Sequence, residues 1–85
     1  MSYEIILAPS ARKDLDRFHG TLLAKFEKLI LGLAANTRPL HSRKLRGGEE
    51  AWRLRTGDYR ILYEIDDSRK EVRIFRIAHR KEAYR

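Results

Sequence analysis

The chain has 85 residues, with 19 Lys or Arg against 12 Asp or Glu, so it has room for one small domain and carries a formal charge of +7. A balance that basic implies an anionic partner, namely nucleic acid, an acidic protein or a membrane surface. The absence of cysteine excludes a disulfide framework and any thiolate metal site. A 42% hydrophobic content with regular periodicity argues against disorder.

Residues 3–8 read as a short strand. Nothing before it resembles a basic leader or a long apolar segment, so the sequence predicts no signal peptide or membrane span and a cytoplasmic location. Pro9 suits the first turn of a helix. Ala11, Leu15 and Phe18 follow at helical spacing, with Arg12, Lys13, Asp14 and Arg17 left outside. His19-Gly20 ends that helix, and Thr21 is placed to cap a second one. In it Leu22, Phe26, Leu29, Ile30 and Leu33 recur at steps of three and four, and Asn36 and Pro39 mark its end. So short a turn between helices predicts an antiparallel helical hairpin. A membrane partner is disfavoured, because these stripes are core-sized rather than interfacial.

Residues 40–50 are expected to form a basic, turn-rich connector carrying His41, Arg43, Lys44 and Arg46 ahead of Gly47-Gly48. Loops held by a rigid scaffold often carry function. Two alternating runs then flank Gly57-Asp58, a two-residue hairpin turn with Gly first. The hairpin sets Thr56 opposite Tyr59, Arg55 opposite Arg60, Leu54 opposite Ile61 and Trp52 opposite Tyr63. One face thus carries Trp52, Leu54, Tyr59, Ile61, Tyr63 and Ile65, and the other Arg53, Arg55 and Arg60. A four-residue loop at Asp67-Ser68-Arg69-Lys70 would set Ile65 opposite Val72, Glu64 opposite Arg73 as an ion pair, Leu62 opposite Phe75 and Arg60 opposite Ile77. His79 then falls on the arginine face, unless a bulge shifts the register. The predicted fold is a single α+β domain over residues 1–85. It has an N-terminal strand and a two-helix antiparallel hairpin packed on a mostly antiparallel three- to four-stranded sheet, the first strand added at an edge.

No Gly-rich phosphate loop, paired-histidine helix or zinc spacing occurs, so no cofactor and no metal site is expected. Asp14 and Asp16 read as a solvated face, Asp66 and Asp67 as turn residues, and His19, His41 and His79 as surface or satisfied histidines. Like charges opposed across a sheet destabilise it by a few tenths of a kcal/mol or more, so Arg53, Arg55 and Arg60 suggest an anion site. The bland alternative is a solvated basic face. Against it stand the opposed arginines, the nearby His79 and Arg80, and Tyr84, which could stack on a base. A cationic platform with a group that titrates near neutrality is what metal-free RNA cleavage requires.

Lys44-Leu45-Arg46-Gly47, Trp52-Arg53-Leu54-Arg55, Gly57-Asp58-Tyr59-Arg60-Ile61-Leu62-Tyr63-Glu64-Ile65 and His79-Arg80-Lys81-Glu82-Ala83-Tyr84 together resemble the RelE/ParE toxin superfamily of type II toxin–antitoxin systems, over essentially the whole chain. In the RelE branch this resemblance implies a toxin that enters the ribosomal A site and cuts the bound mRNA codon. It does so without metal, by 2′-hydroxyl attack that leaves a cyclic phosphate, and so stops translation and growth. It implies catalytic roles for Arg53 and Arg55 on the strand, Arg60 on the scissile phosphate, Arg80 at the end of the last strand and Tyr84 as the base-stacking ring. Arg43, Lys44 and Arg46 are expected to bind RNA. RelE proper has lysines where Arg53 and Arg55 stand; arginine is a poor base, and His79 is the expected substitute. The implied partners are a cognate acidic antitoxin, the ribosome with its rRNA, and mRNA, with operator DNA reached only through the antitoxin. The alternatives are a ParE-like poison of DNA gyrase on the same fold, or a non-catalytic basic module that binds RNA or protein.

Overall fold

Runs that alternate apolar and polar residues form strands with one buried face, and such runs build the sheet in the computed structural model, which describes residues 2–45 and 51–83, with side chains to residue 81. The elements in order are β1 (Glu4–Leu7), α1 (Pro9–Leu15), α2 (Gly20–Gly32), β2 (Ser42–Lys44), β3 (Ala51–Thr56), β4 (Tyr59–Asp66), β5 (Glu71–His79) and α3 (Arg80–Ala83). The sheet order is β1-β5-β4-β3-β2. β1 lies parallel to β5 and every other pairing is antiparallel. The α+β plan and the edge position of β1 are as the sequence predicts. Among the described residues the strand count is five rather than three or four, because residues 42–44 of the expected connector pair with β3. A short, polar edge strand has no hydrophobic alternation to announce it.

The core forms where Ala11, Phe26, Ile30 and Leu33 meet Leu54, Ile61, Tyr63, Ile65, Val72, Ile74 and Ile77. The helical boundaries differ slightly from the expectation. His19 is the N-cap of α2 and the helix starts at Gly20, whose φ of 65° needs glycine; no side-chain cap bond is made, by Thr21 or any other residue. α2 ends at Gly32, ahead of Asn36. Its last turn tightens through N–H bonds from Leu33 to Ile30 and from Ala34 to Leu31, and the Ala34 carbonyl then accepts from the Tyr3 N–H at 2.8 Å.

The β3–β4 register matches the sequence reading, with Arg55 opposite Arg60 and Trp52 opposite Tyr63. The β4–β5 register matches near the loop, with Ile65 opposite Val72 and Glu64 opposite Arg73, and then slips at Leu62/Tyr63. Beyond the slip Leu62 faces Arg76 instead of Phe75, and Arg60 faces Ala78 instead of Ile77. Glu64 and Arg73 are both exposed, and no ion pair joins them among the described residues.

The slip lies just beyond the end of β1, whose pairing stops at Leu7 with Ile74. Past that point α1 completes the edge of β5 with side chains. The Ser10 hydroxyl donates to the Phe75 carbonyl at 2.6 Å, and Asp14 Oδ2 accepts from the Ile77 N–H at 2.8 Å and from Arg76 Nε at 3.1 Å. Asp14 is therefore buried, contrary to the expected solvated face, while Asp16 is exposed as expected. A carboxylate is kept in this position because it satisfies backbone that would otherwise be an orphan at the sheet edge.

Candidate functional site

Gly57 takes φ 58° at the first of the two turn residues between β3 and β4, as a type II′ hairpin requires. That tight turn fixes the pairing of Arg55 with Arg60 and of Arg53 with Leu62. On the other side of β3, Arg43 of β2 pairs with Arg53 and Ser42 with Leu54. One step further along that register His41 lies opposite Arg55, whose N–H donates to the His41 carbonyl at 3.3 Å. Cross-strand partners share a face. His41, Arg43, Arg53 and Arg55, with Leu40 and Ser42, accordingly line a cleft of about 540 Å³. Among the described residues its charged lining is entirely cationic, whereas a second cleft of about 530 Å³ at the far end of β4 and β5 mixes Asp66, Asp67 and Glu71 with Arg69 and Arg73.

The predicted site residues divide. Arg55 is exposed and Arg53 and Arg43 flank it, so these three come together as a cluster. Arg60 shares their face by register, but it is 4% exposed between Arg55 and Ala78, the latter also buried, and its Nη1 donates to the Tyr59 carbonyl at 3.3 Å. The expectation of an outward, accessible Arg60 is corrected. His79 is also displaced: the slip pairs it with Tyr59, on the helix-covered face, instead of with the arginines. Its ring stands edge-on to Tyr59 at 5.3 Å, and Nδ1 accepts from the Lys81 N–H at 3.3 Å. Tyr59 continues into Phe26 at 5.3 Å and Phe18 at 5.4 Å, so His79 ends an aromatic cluster. Lys44 is exposed but pairs with Trp52, which places it off the arginine face. Arg80 is exposed at the start of α3, where its N–H donates to the Asp58 carbonyl at 2.6 Å. Arg46 and Tyr84 lie outside the described residues.

The segment that carries His41 is tied to the core by groups the sequence did not mark as functional. The Tyr63 hydroxyl, at a fully buried side chain, donates to the Thr37 carbonyl at 2.9 Å; burial raises its phenol above the usual tyrosine value. The Ser42 hydroxyl donates to the Pro39 carbonyl at 2.6 Å. Arg38 pairs with Asp67 at 3.0 Å and lies 5.2 Å over the Trp52 ring. Asp67 also accepts from the Tyr3 hydroxyl at 2.6 Å. That hydrogen bond, and then Arg38, hold the Asp67 carboxyl below its ordinary value. His41 itself was legible only in hindsight. The alternation His41-x-Arg43 mirrors Arg53-x-Arg55, and it becomes a signal once residues 42–44 are known to be a strand.

Two helices on one face of a five-stranded sheet, and a guanidinium-lined cleft over the β2–β3 pair, define a small basic α+β protein with an exposed site suited to an anion. Residues 5–84 match the family described as the ParE toxin of type II toxin-antitoxin systems, parDE, and the chain belongs to that family. It is 32% identical over 84 residues to Toxin RelE of Mycobacterium tuberculosis, covering 98% of this chain and 87% of that one. It is 34% identical over 90 residues to Toxin RelG of the same organism, covering 100% and 99%. The solved toxin-antitoxin complex RelBE2 of M. tuberculosis superimposes with a TM-score of 0.81 at 28% identity, over 93% of this chain and 99% of the matched one. This protein is thus a type II toxin of the RelE/ParE superfamily. Among the described residues no helix is long and apolar enough to cross a membrane.

Proposed function

We propose that this toxin is a ribosome-dependent mRNA endoribonuclease that cuts the codon in the A site by 2′-hydroxyl attack, without a metal ion. The observation that carries the reading is the cleft lined by Arg43, Arg53 and Arg55, with no acidic side chain beside them among the described residues. As the 2′-oxygen attacks, the phosphorane gathers charge, and guanidinium forks fit phosphate oxygens two at a time. Arg53 and Arg55 are the forks open to the scissile phosphate. Arg60 contributes a fixed charge from the floor of the site, because its burial leaves little of it to touch RNA. Exposed Arg80 holds the RNA backbone near the hairpin turn, Tyr84 stacks on a base, and Arg43, Lys44 and Arg46 meet mRNA or rRNA phosphates. The products are a 2′,3′-cyclic phosphate and a 5′-hydroxyl.

A cognate acidic antitoxin is the proposed partner, which would cover the basic face of a chain with charge +7. The antitoxin would also supply contacts to operator DNA, and the toxin would act in the cytoplasm. The M. tuberculosis relative was solved as a toxin-antitoxin complex, which supports this assignment. The deciding experiment adds the free toxin to ribosomes programmed with a defined mRNA. New 5′ ends inside the A-site codon are expected, and intact mRNA on translation-competent ribosomes would refute the reading. One observation favours a second reading, a gyrase poison: the matching family is that of the ParE toxin. Under that reading the protein would inhibit supercoiling and trap cleaved DNA.

A further inference from the structure

We infer that His41 is the catalytic proton acceptor of this toxin, taking the proton of the ribose 2′-hydroxyl inside the β2–β3 cleft. The inference rests on the ribonuclease reading and supplies what the arginines cannot. Guanidinium keeps its proton at every working pH, whereas imidazole ordinarily titrates near neutrality.

Geometry selects among the titratable groups of the described residues. His79 belongs to the opposite face, paired with Tyr59. The row that runs from His41 through Arg55 and Arg60 to Ala78 crosses three strand spacings, roughly 14 Å, so the end of β5 is remote from the cleft. Glu64 shares the arginine face but lies four residues along β4 from Arg60, about 13 Å away. Lys44 pairs with Trp52, off this face. His19 is the N-cap of α2. His41 alone among these lines the cleft, just ahead of β2, together with Arg43 of β2 and Arg53 and Arg55 of β3, the charged groups that face it among the described residues.

Two further features fit a placed base. The His41 ring is exposed, and among the described residues it makes no hydrogen bond, which leaves its nitrogens open to a ligand. Its backbone holds φ 76°, a left-handed value that a strained non-glycine residue keeps only where its surroundings enforce it. The surroundings do so here. The Ser42 N–H and hydroxyl both donate to the Pro39 carbonyl, at 3.0 and 2.6 Å, and the Arg55 N–H fixes the His41 carbonyl. Leu40, 83% exposed at the rim of the same cleft, offers apolar surface for a nucleobase.

In the step itself an imidazole nitrogen lone pair takes the 2′-hydroxyl proton while the 2′-oxygen forms its bond to phosphorus. The bond from phosphorus to the 5′-oxygen breaks, and that oxygen takes a proton from solvent. Arg53 and Arg55 hold the non-bridging oxygens throughout.

The test uses the full chain on programmed ribosomes, with single-turnover cleavage measured across pH. His41→Gly keeps a residue at ease with positive φ, and a thermal melt confirms its fold. It is expected to lose about 10²-fold or more in cleavage rate, the usual scale for a general base. Affinity for the programmed ribosome should change little, the acid limb of the wild-type pH profile should vanish, and millimolar imidazole should restore cleavage. His41→Asn, also tolerant of positive φ, should lose activity equally without rescue. Retention of wild-type rate and acid limb in either variant, or loss that imidazole fails to rescue in a folded His41→Gly, overturns the inference while the ribonuclease reading stands. Absence of any cut by the wild-type protein overturns both.

Discussion

On the helix-covered face, the hairpin end of the sheet is closed by rings that bury one another: Phe18 lies 4.9 Å from Phe26, both abut Tyr59, and His79 meets Tyr59 edge-on. On the other face β2 and β3 display Arg43, Arg53 and Arg55 around an open cleft. The first region is explained by its own packing. The second is not, because opposed like charges weaken a sheet and these have no acidic partner in the cleft among the described residues. Groups that cost stability and sit open to solvent are accounted for by what they bind.

This contrast says that substitutions on the ring side should change stability and those on the arginine side should change activity. The largest effect is expected from Phe26→Ala, which removes a fully buried ring at the centre of the aromatic cluster. Such truncations cost about 3–5 kcal/mol, a large share of the roughly 4–13 kcal/mol expected of a domain this size. Urea unfolding should show most of the stability gone, and a midpoint close to wild type would break the packing account. Next in size, Arg55→Ala should slow RNA cleavage about 10²-fold, or about 2.7 kcal/mol of transition-state stabilisation. Its melting temperature should stay level or rise, since the opposed Arg60 loses a like charge. Arg60→Ala is the mixed case. Its burial predicts that both melting temperature and activity fall, where an outward side chain would have cost activity alone.

Tyr63→Phe sharpens the comparison at smaller scale. It leaves the ring packing and removes only the hydrogen bond to the Thr37 carbonyl, a loss of about 1 kcal/mol that should be visible in urea titration. The smallest effect concerns acid. Asp67 is held below its ordinary 3.8, first by the Tyr3 hydroxyl and then by Arg38. A depressed carboxyl contributes stability that is present above its unfolded value and is lost as pH falls through the lower folded one. Asp67→Asn should therefore flatten the decline of melting temperature below about pH 4. Some slope should remain, because Asp66 is likewise held low, chiefly by the Ser68 hydroxyl.

The sequence spoke clearly wherever period and turn chemistry agreed. The stripe of α2, the Gly57-Asp58 hairpin and the pairing of Arg55 with Arg60 followed from spacing alone. Three things stayed hidden, each for a physical reason. The slip in β5 is a local irregularity that alternation cannot signal, and it carried His79 to the opposite face. β2 is short and polar, so the row of His41 and Arg43 beside Arg55 and Arg53 could not be read from it. Asp14 looked like surface because its partner, the Ile77 N–H on the open edge of β5, is 63 residues away in sequence. The candidate site was therefore half legible: the arginines of β3 were visible, and the neighbour that completes the cleft was not.

The central claim is that the arginine cleft cuts mRNA on the ribosome. The most direct measurement maps mRNA 5′ ends on programmed ribosomes with the wild-type toxin and with the Arg53→Ala, Arg55→Ala double variant, after a thermal melt of each. The account predicts a cut within the A-site codon by the wild type, slowed about 10²-fold or more in a variant that melts no lower. Intact mRNA with the wild type, or equal cutting by the double variant, would contradict it.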